Sequence, residues 1–458
     1  MPRRSERRTL SRAASLALAA WLVCWPQSDA TAAGAIRDAE IESLLRSYSE
    51  PLMQAAGLAP EQVKFFLINE RSINAFVAGG QNLFLNTGLI AESKTPNMLI
   101  GVIAHELGHI SGGHLSRTEP ERTKAGFYAA AAWILGLGTI LAGAGADVGS
   151  ALLLGGAQLG QRSYLQYSRT QEAAADQAAL SLLDATRQSP RGLIQFLEKF
   201  AADFEYLTAD ERVSLDPYAL THPLPRSRIN ALQRAAAASR WADVPDTPEH
   251  LHRHAMIHAK IAGFLDPPKR VFASWPASDT SQPARYARTI AHFKSSNLPD
   301  ALRMIRELSA EEPDNPWFHE LHGQILFESG DAARAIAPYQ TSVRLRPQEP
   351  LLYIGLAAAQ TATEDPALVT TAIGNLRRAL RYEPDNATAL FQLATAYGHL
   401  GKTAHAQLAL AEYYARLNRM GDARRQATRA RSSLPKGSPE WLRADDILRI
   451  GRAPAPRR

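Results

Sequence analysis

The 458-residue chain predicts a mainly α protein in two parts, an α+β unit with a small sheet and then an all-α solenoid of helical hairpins. Three observations predict this. The stretch Thr95–Gly113 (TPNMLIGVIAHELGHISGG) has an N-cap in Thr95, proline at the first helical position and glycines at its end, so it reads as one capped helix. Apolar side chains cover most of its circumference, which marks a helix enclosed by its own domain. Apolar and aromatic runs between positions 63 and 86 read as short strands turned by Gly79-Gly80. Beyond position 284, Pro313, Pro347 and Pro384 recur 34 and 37 residues apart, with Gly330 and Gly401 at turns between helices.

From the N-terminus, Arg3, Arg4, Arg7, Arg8 and Arg12 precede an apolar run, Ala13 to Val23, and a small-residue site at Ala30-Thr31-Ala32. That is the pattern of a cleaved secretory leader over residues 1–32. The one cysteine, Cys24, lies inside it, so the remaining chain can form no disulfide. Without the leader the formal charge falls from +6 to +3, which gives no footprint for nucleic acid. An exported, cysteine-free chain of this composition is expected in the periplasm.

Residues 36–56 alternate apolar and charged side chains at helical spacing. Val63–Asn69, Asn74–Val77 and Asn82–Asn86 follow as three strands, and the edge of such a sheet can hydrogen-bond an extended peptide. In the enclosed helix, His105, Glu106 and His109 are polar residues that such an interior should not tolerate. The two histidines lie four apart on one face. A divalent metal between them, with Glu106 holding its water, turns the liability into a site. H-E-x-x-H is the zinc-peptidase signature. Such a site takes a third protein ligand, and Glu172 and Asp176 share a face of a predicted helix from Glu172 to Leu183. Glu172 is the candidate ligand and Asp176 the candidate that orients a ligand imidazole.

Ala125 to Ala146 holds no charge and is punctuated by glycines, so 125–160 is expected to form a helical hairpin that covers the site or dips into a membrane surface. Thr221–Arg228 (THPLPRSR) is a proline-stiffened loop into a helix at Ile229, which holds His222 and Arg228 in fixed places. His250, His252, His254 and His258 read as a solvated face. Asp266–Ala284, with four prolines, reads as a linker. The organisation is therefore a protease unit over 33–265, a linker over 266–284 and a solenoid over 285–450. Its proline-ended, 34-residue helix-turn-helix period is the tetratricopeptide signature.

On these residues the chain resembles the gluzincin metallopeptidases that include the CaaX prenyl protease and HtpX. Within them it is similar to the periplasmic BepA-type branch, which carries a C-terminal tetratricopeptide domain. The resemblance covers about Ile36 to Ile450. The family's H-E-x-x-H falls on His105, Glu106 and His109, its E-x-x-x-D on Glu172 and Asp176, and its T-H-P…R on Thr221, His222, Pro223 and Arg228. Asn74-Ala75-Phe76 and Asn86-Thr87-Gly88-Leu89 are similar to the family's strand region, which makes Asn74, Ala75 and Phe76 the expected substrate contacts. Ala174 departs from the pattern, since relatives usually have a second glutamate there.

The resemblance implies a zincin-like fold with one zinc per chain on His105, His109 and Glu172, and Glu106 as general base for hydrolysis of a peptide bond. It brings His222 and Arg228 to the site in one of two roles. His222 either takes the fourth position on the metal and silences it or joins Arg228 in donating to the oxyanion. It also implies protein substrates among misfolded or stalled outer-membrane proteins, chaperone-like work, and contact with the β-barrel assembly machinery through the repeats. A periplasmic location near the outer membrane goes with these. A different class of function is a repeat-based binding protein with a dormant protease site. The intact Glu106 argues against it, because a structural zinc needs no general base.

Overall fold

The computed structural model describes residues 34–78, 80–113, 169–205, 222 and 226–450. The expected leader, the 125–160 hairpin, Thr221 and Pro223 lie outside these residues. The architecture is mainly α with one four-stranded sheet among the described residues. No helix among them is long and apolar enough to cross a membrane.

Strand β1 (Ala35–Ile36) precedes helix α1 (Ala39–Ala55), which starts where the Asp38 carboxylate accepts from the Ile41 amide at 2.9 Å. Strands β2 (Lys64–Ile68), β3 (Ala75–Ala78) and β4 (Asn82–Asn86) complete a sheet of order β1-β2-β4-β3. β2 runs parallel to β4, and β3 pairs antiparallel with β4 and forms one edge. The rings of Phe66 and Phe76 both stack on Phe84 with centroids 4.9 Å apart. β1, absent from the sequence reading, is two residues long and so has no alternation to detect.

After α2 (Thr87–Glu92) comes the enclosed helix α3 (Pro96–Ser111), capped by the Thr95 hydroxyl on the Met98 amide at 3.3 Å. Gly113, with φ +63°, supplies the left-handed residue that ends it. Every side chain from Met98 to His109 is buried. Helices α4 (Arg169–Ala185) and α5 (Arg191–Glu205) pack directly on its backbone. A Cβ on Gly101 would lie 2.7 Å from the Leu193 nitrogen, and one on Gly108 would lie 2.8 Å from the Ala175 carbonyl. Gly108, inside H-E-L-G-H itself, thus admits the segment that carries Glu172 and Asp176.

Helices α6 (Arg226–Ala238), α7 (Pro248–Leu265) and α8 (Pro268–Ser274) follow. The histidines of α7 correct the sequence reading: His254 is buried, with Nε2 2.6 Å from the Ser93 carbonyl and Nδ1 3.4 Å from the Tyr48 hydroxyl. Burial lowers its pKa and pushes that of His258 down to about 3. An imidazole whose two nitrogens both find partners behaves as a core residue, so a histidine stripe need not face water.

The solenoid consists of α9–α18 (Gln282–Lys294, Leu298–Glu311, Pro316–Glu328, Ala332–Leu345, Pro350–Ala362, Pro366–Tyr382, Ala387–His399, Thr403–Arg416, Met420–Ser433 and Pro439–Arg449). Gly330 and Gly401 turn with φ +88° and +68°. Tyr339 of α12 wedges between Gly323 and Gly355, where added Cβ atoms would come within 2.7 and 3.0 Å of its ring. Ala335, Leu356, Leu393 and Tyr397, the packing positions of the period, are buried.

Where the solenoid meets the sheet-bearing region, the buried Lys260 ammonium lies 2.8 Å from Asp38, 3.2 Å from Glu40 and 3.3 Å from Glu320. The Tyr286 hydroxyl donates to Glu40 at 3.0 Å. Three carboxylates share one cation, so burial outweighs the pull of Lys260 and pushes Glu320 up to about 7. A carboxyl whose folded pKa lies above its unfolded value lends stability at acid pH and loses it as pH rises through the folded value. Between pH 5 and 8 the melting temperature of the wild type should therefore fall relative to that of Glu320→Gln, by roughly 2–4 °C. Parallel curves in a thermal-melt series would show that Glu320 holds no extra proton in the fold.

Candidate active site

Helix α3 sets His105 and His109 on one face, and the close approach at Gly108 brings α4 alongside. Donor atoms of His105, His109, Glu172 and His222 lie within 4.8 Å of one another, and all four residues are buried. This is the one such group among the described residues. His105 Nε2 is 3.1 Å from His109 Nε2 and 3.5 Å from Glu172 Oε2, and His109 Nε2 is 3.4 Å from Glu172 Oε1. Three imidazole nitrogens and a carboxylate oxygen converging on one point form a donor set suited to zinc.

Around these atoms stands a second ring of contacts. Asp176 Oδ1 lies 3.0 Å from His105 Nδ1, on the side away from the convergence point, a contact of the kind that orients a ligand imidazole. Arg228 stands at the cluster: its Nε and Nη2 donate to Asp176 at 2.6 and 2.8 Å, and its Nη1 lies 2.6 Å from Glu172 Oε2. A guanidinium fork clasping two buried carboxylates is a positioning device, and it offsets one of their two charges. Ala174 is exposed, so the missing second glutamate leaves the cluster untouched.

The protonation pulls follow from the geometry. Burial alone would lower His105, yet Asp176 and Glu172 outweigh it and raise it to about 9. Burial pushes His109 down to about 3, assisted by the neighbouring His105 and His222. Glu172 is held well below the usual carboxylate range, because the three histidines overcome the cost of burying it. Burial raises Glu106, whose two oxygens have no hydrogen-bond partner. An orphaned buried carboxylate beside a metal-ligand cluster fits a group that hydrogen-bonds a metal-bound water.

His222 completes the arrangement. Its Nδ1 faces the cluster, 3.0 Å from Glu172 Oε1 and 3.4 Å from His105 Nε2. Its Nε2 lies 3.4 Å from Glu106 Oε1 and 3.3 Å from the carbonyl oxygen of Ala75 on the edge strand β3. Asn74 and Phe76 flank that carbonyl, both buried; the Phe76 ring packs on Phe84, so this residue can meet a peptide only through its backbone. Gly108 escaped the sequence reading, although a glycine in a helix interior is itself a signal of close backbone approach.

Replacing Arg228 by alanine removes the guanidinium from two buried carboxylates, Glu172 and Asp176. The variant should lose roughly 3–5 kcal/mol of stability when free of metal, read by urea unfolding. Its zinc affinity should fall by about 10- to 100-fold, read by competition with a chelator. Wild-type values in both assays would show that the guanidinium is incidental.

Residues 37–236 match the profile of peptidase family M48. The chain is 26% identical over 418 residues to the beta-barrel assembly-enhancing protease of Escherichia coli (strain K12), covering 90% of this chain and 82% of that protein. It is 25% identical over 367 residues to the protein of the same name from Yersinia pestis, covering 79% of this chain and 74% of that one. The matched segment contains both histidines of α3, Glu106, the two acids of α4, His222 and Arg228, and the similarity to these relatives runs on beyond it. The chain is a metalloprotease whose residues 37–236 match peptidase family M48, and it is similar along most of its length to the beta-barrel assembly-enhancing proteases.

Proposed function

We propose that this is a periplasmic zinc endopeptidase with chaperone-like work in the quality control and assembly of outer-membrane β-barrel proteins, held inactive at rest by His222. One zinc ion sits on His105, His109 and Glu172 in this reading, within a protease unit over 33–265 joined through 266–284 to a repeat unit over 285–450. The exported location rests on the arginine-rich leader. The role in barrel assembly rests on the names of the relatives, and the repeats are the surface through which the assembly machinery and its clients would be met.

When bound, the zinc supplies a Lewis acid for the scissile carbonyl and lowers the pKa of a water molecule. Glu106 takes that water's proton and returns it to the leaving amine. Asp176 and Arg228 hold His105 and Glu172 in place, and the β3 edge at Asn74–Phe76 aligns an extended substrate. The observation that carries the resting-state reading is the position of His222 between Glu106, the ligand cluster and the Ala75 carbonyl. That is the space a water and a peptide both need. The alternative role as an oxyanion donor gains no support from Arg228, which is committed to Glu172 and Asp176.

Two variants test this with purified protein and casein. Glu106→Gln should keep zinc and fold but lose cleavage by about 10²-fold or more, since an amide accepts no proton. Undiminished turnover would sink the mechanism. His222→Ala should keep zinc and raise basal cleavage severalfold, including cleavage of its own chain; lowered turnover at equal zinc content would favour the oxyanion role instead.

A further inference from the structure

Charge is distributed unevenly along the chain. Positions 34–415 carry 34 Lys and Arg against 39 Asp and Glu, whereas positions 416–458 carry 12 against 4. The last hairpin, α17–α18, carries seven of these cations and all four acids, and the others are Arg416, Arg419, Arg452, Arg457 and Arg458 on either side of it. There Asp422 is shared by Arg419 and Arg425, Asp445 is shared by Arg431 and Arg449, and Glu412 of α16 pairs with Arg443 at 3.2 Å, so three acids answer five arginines. Arg429 and Lys436 are exposed, and no carboxylate is recorded beside them.

The outer face of α18 carries a second anomaly. Leu442, Arg443, Asp446, Arg449 and Ile450 are all exposed, and at helical spacing they fall on one arc. Leu442 and Ile450 are 50% and 53% exposed, two of the six large apolar side chains left in solvent among the described residues. Helix α18 packs on α16 and α17, and no later described helix covers it. The end of a solenoid ordinarily presents a polar cap to water. Here it presents leucine and isoleucine among arginines, with Trp441 beside them under the Arg431 guanidinium at 5.8 Å.

We propose that this terminal hairpin is a docking surface for an anionic phospholipid bilayer. Arginine and lysine are drawn to lipid phosphates, and Leu442 and Ile450 reach the boundary between headgroups and acyl chains. A nucleic-acid backbone would engage the arginines and leave both apolar side chains idle. A merely solvated basic face would not expose them. The surface contains none of the residues of the metal cluster and does not depend on whether the protease is active.

Co-sedimentation of the purified full chain with vesicles tests this. The protein should partition onto phosphatidylcholine vesicles containing phosphatidylglycerol and not onto pure phosphatidylcholine, and molar salt should release it. The variant Arg424→Gln/Arg429→Gln/Lys436→Gln, which removes three cations that no carboxylate pairs among the described residues, should bind at least tenfold more weakly, given about fivefold per basic residue at such a surface. Leu442→Ser/Ile450→Ser should weaken binding severalfold, and Lys269→Gln/Arg270→Gln, exposed elsewhere, should not. Thermal melts confirm that each variant is folded, and the salt dependence of the wild type stands even where one is not. Equal binding to neutral and anionic vesicles, full retention by the triple variant, or capture by soluble polyglutamate but not by vesicles would each overturn the proposal.

Discussion

The structure is organised by one electrostatic constraint: a buried helical interior holds three imidazoles and a carboxylate aimed at one point, with a second carboxylate beside them. Without a cation there the groups pull in opposite directions, and His105 is driven toward protonation while His109 is driven from it. A dication relieves both at once, because it favours neutral imidazoles on its own side and charged carboxylates around them. The surroundings follow from this demand. The cap at Thr95 fixes the start of α3, its apolar girdle excludes water, and the bare backbone at Gly108 lets α4 come close enough for Glu172 to reach the cluster.

The balancing charge comes from Arg228, six residues after His222. Arg228 stands in the first turn of α6 and is tied to Glu172 and Asp176 by three short contacts, while His222 precedes it across Pro223 and Pro225. One segment therefore supplies both the anchor that the ligand cluster needs and the ring that fills its open side. Ion pairs to two buried carboxylates cost far more to break than one ring's contacts, so the guanidinium is the more firmly held of the two side chains. Asking Arg228 to serve the oxyanion as well would strip the clasp from a carboxylate it already neutralises.

Much of this was legible in the residues. The capped helix, its three polar members and the inward pair Glu172 and Asp176 follow from spacing alone, because helical periodicity specifies which side chains share a face. What spacing cannot specify is the partner of a long side chain. Arg228 could be placed near the site but not oriented, since its guanidinium reaches several angstroms beyond its own helix. His254 was misjudged for a related reason: whether an imidazole is core or surface depends on a carbonyl at Ser93 and a hydroxyl at Tyr48, both distant in sequence. The strand at Ala35–Ile36 exists only as a partner of β2 and carries no pattern of its own.

The same limit explains the joint between the two halves. Prolines between 266 and 284 suggest a tether, yet α7, which precedes that stretch, belongs to both cores. Ile257 and Ile261 face the cluster of side chains around α3, while Met256 and Ala259 on another face pack with Tyr286 and Ile290 of the solenoid. Gly263 lies so close to α9 that a Cβ would sit 2.8 Å from the Ile290 Cβ. The apolar contacts supply the adhesion, because the Lys260 node must first recover the cost of desolvating three carboxylates and an ammonium. What the node adds is direction: one ammonium reaches Asp38, Glu40 and Glu320 together at a single relative setting of α1, α7 and α11. A helix shared by two cores and pinned at one setting joins the solenoid to the helices around the metal cluster through packed side chains and one buried ammonium.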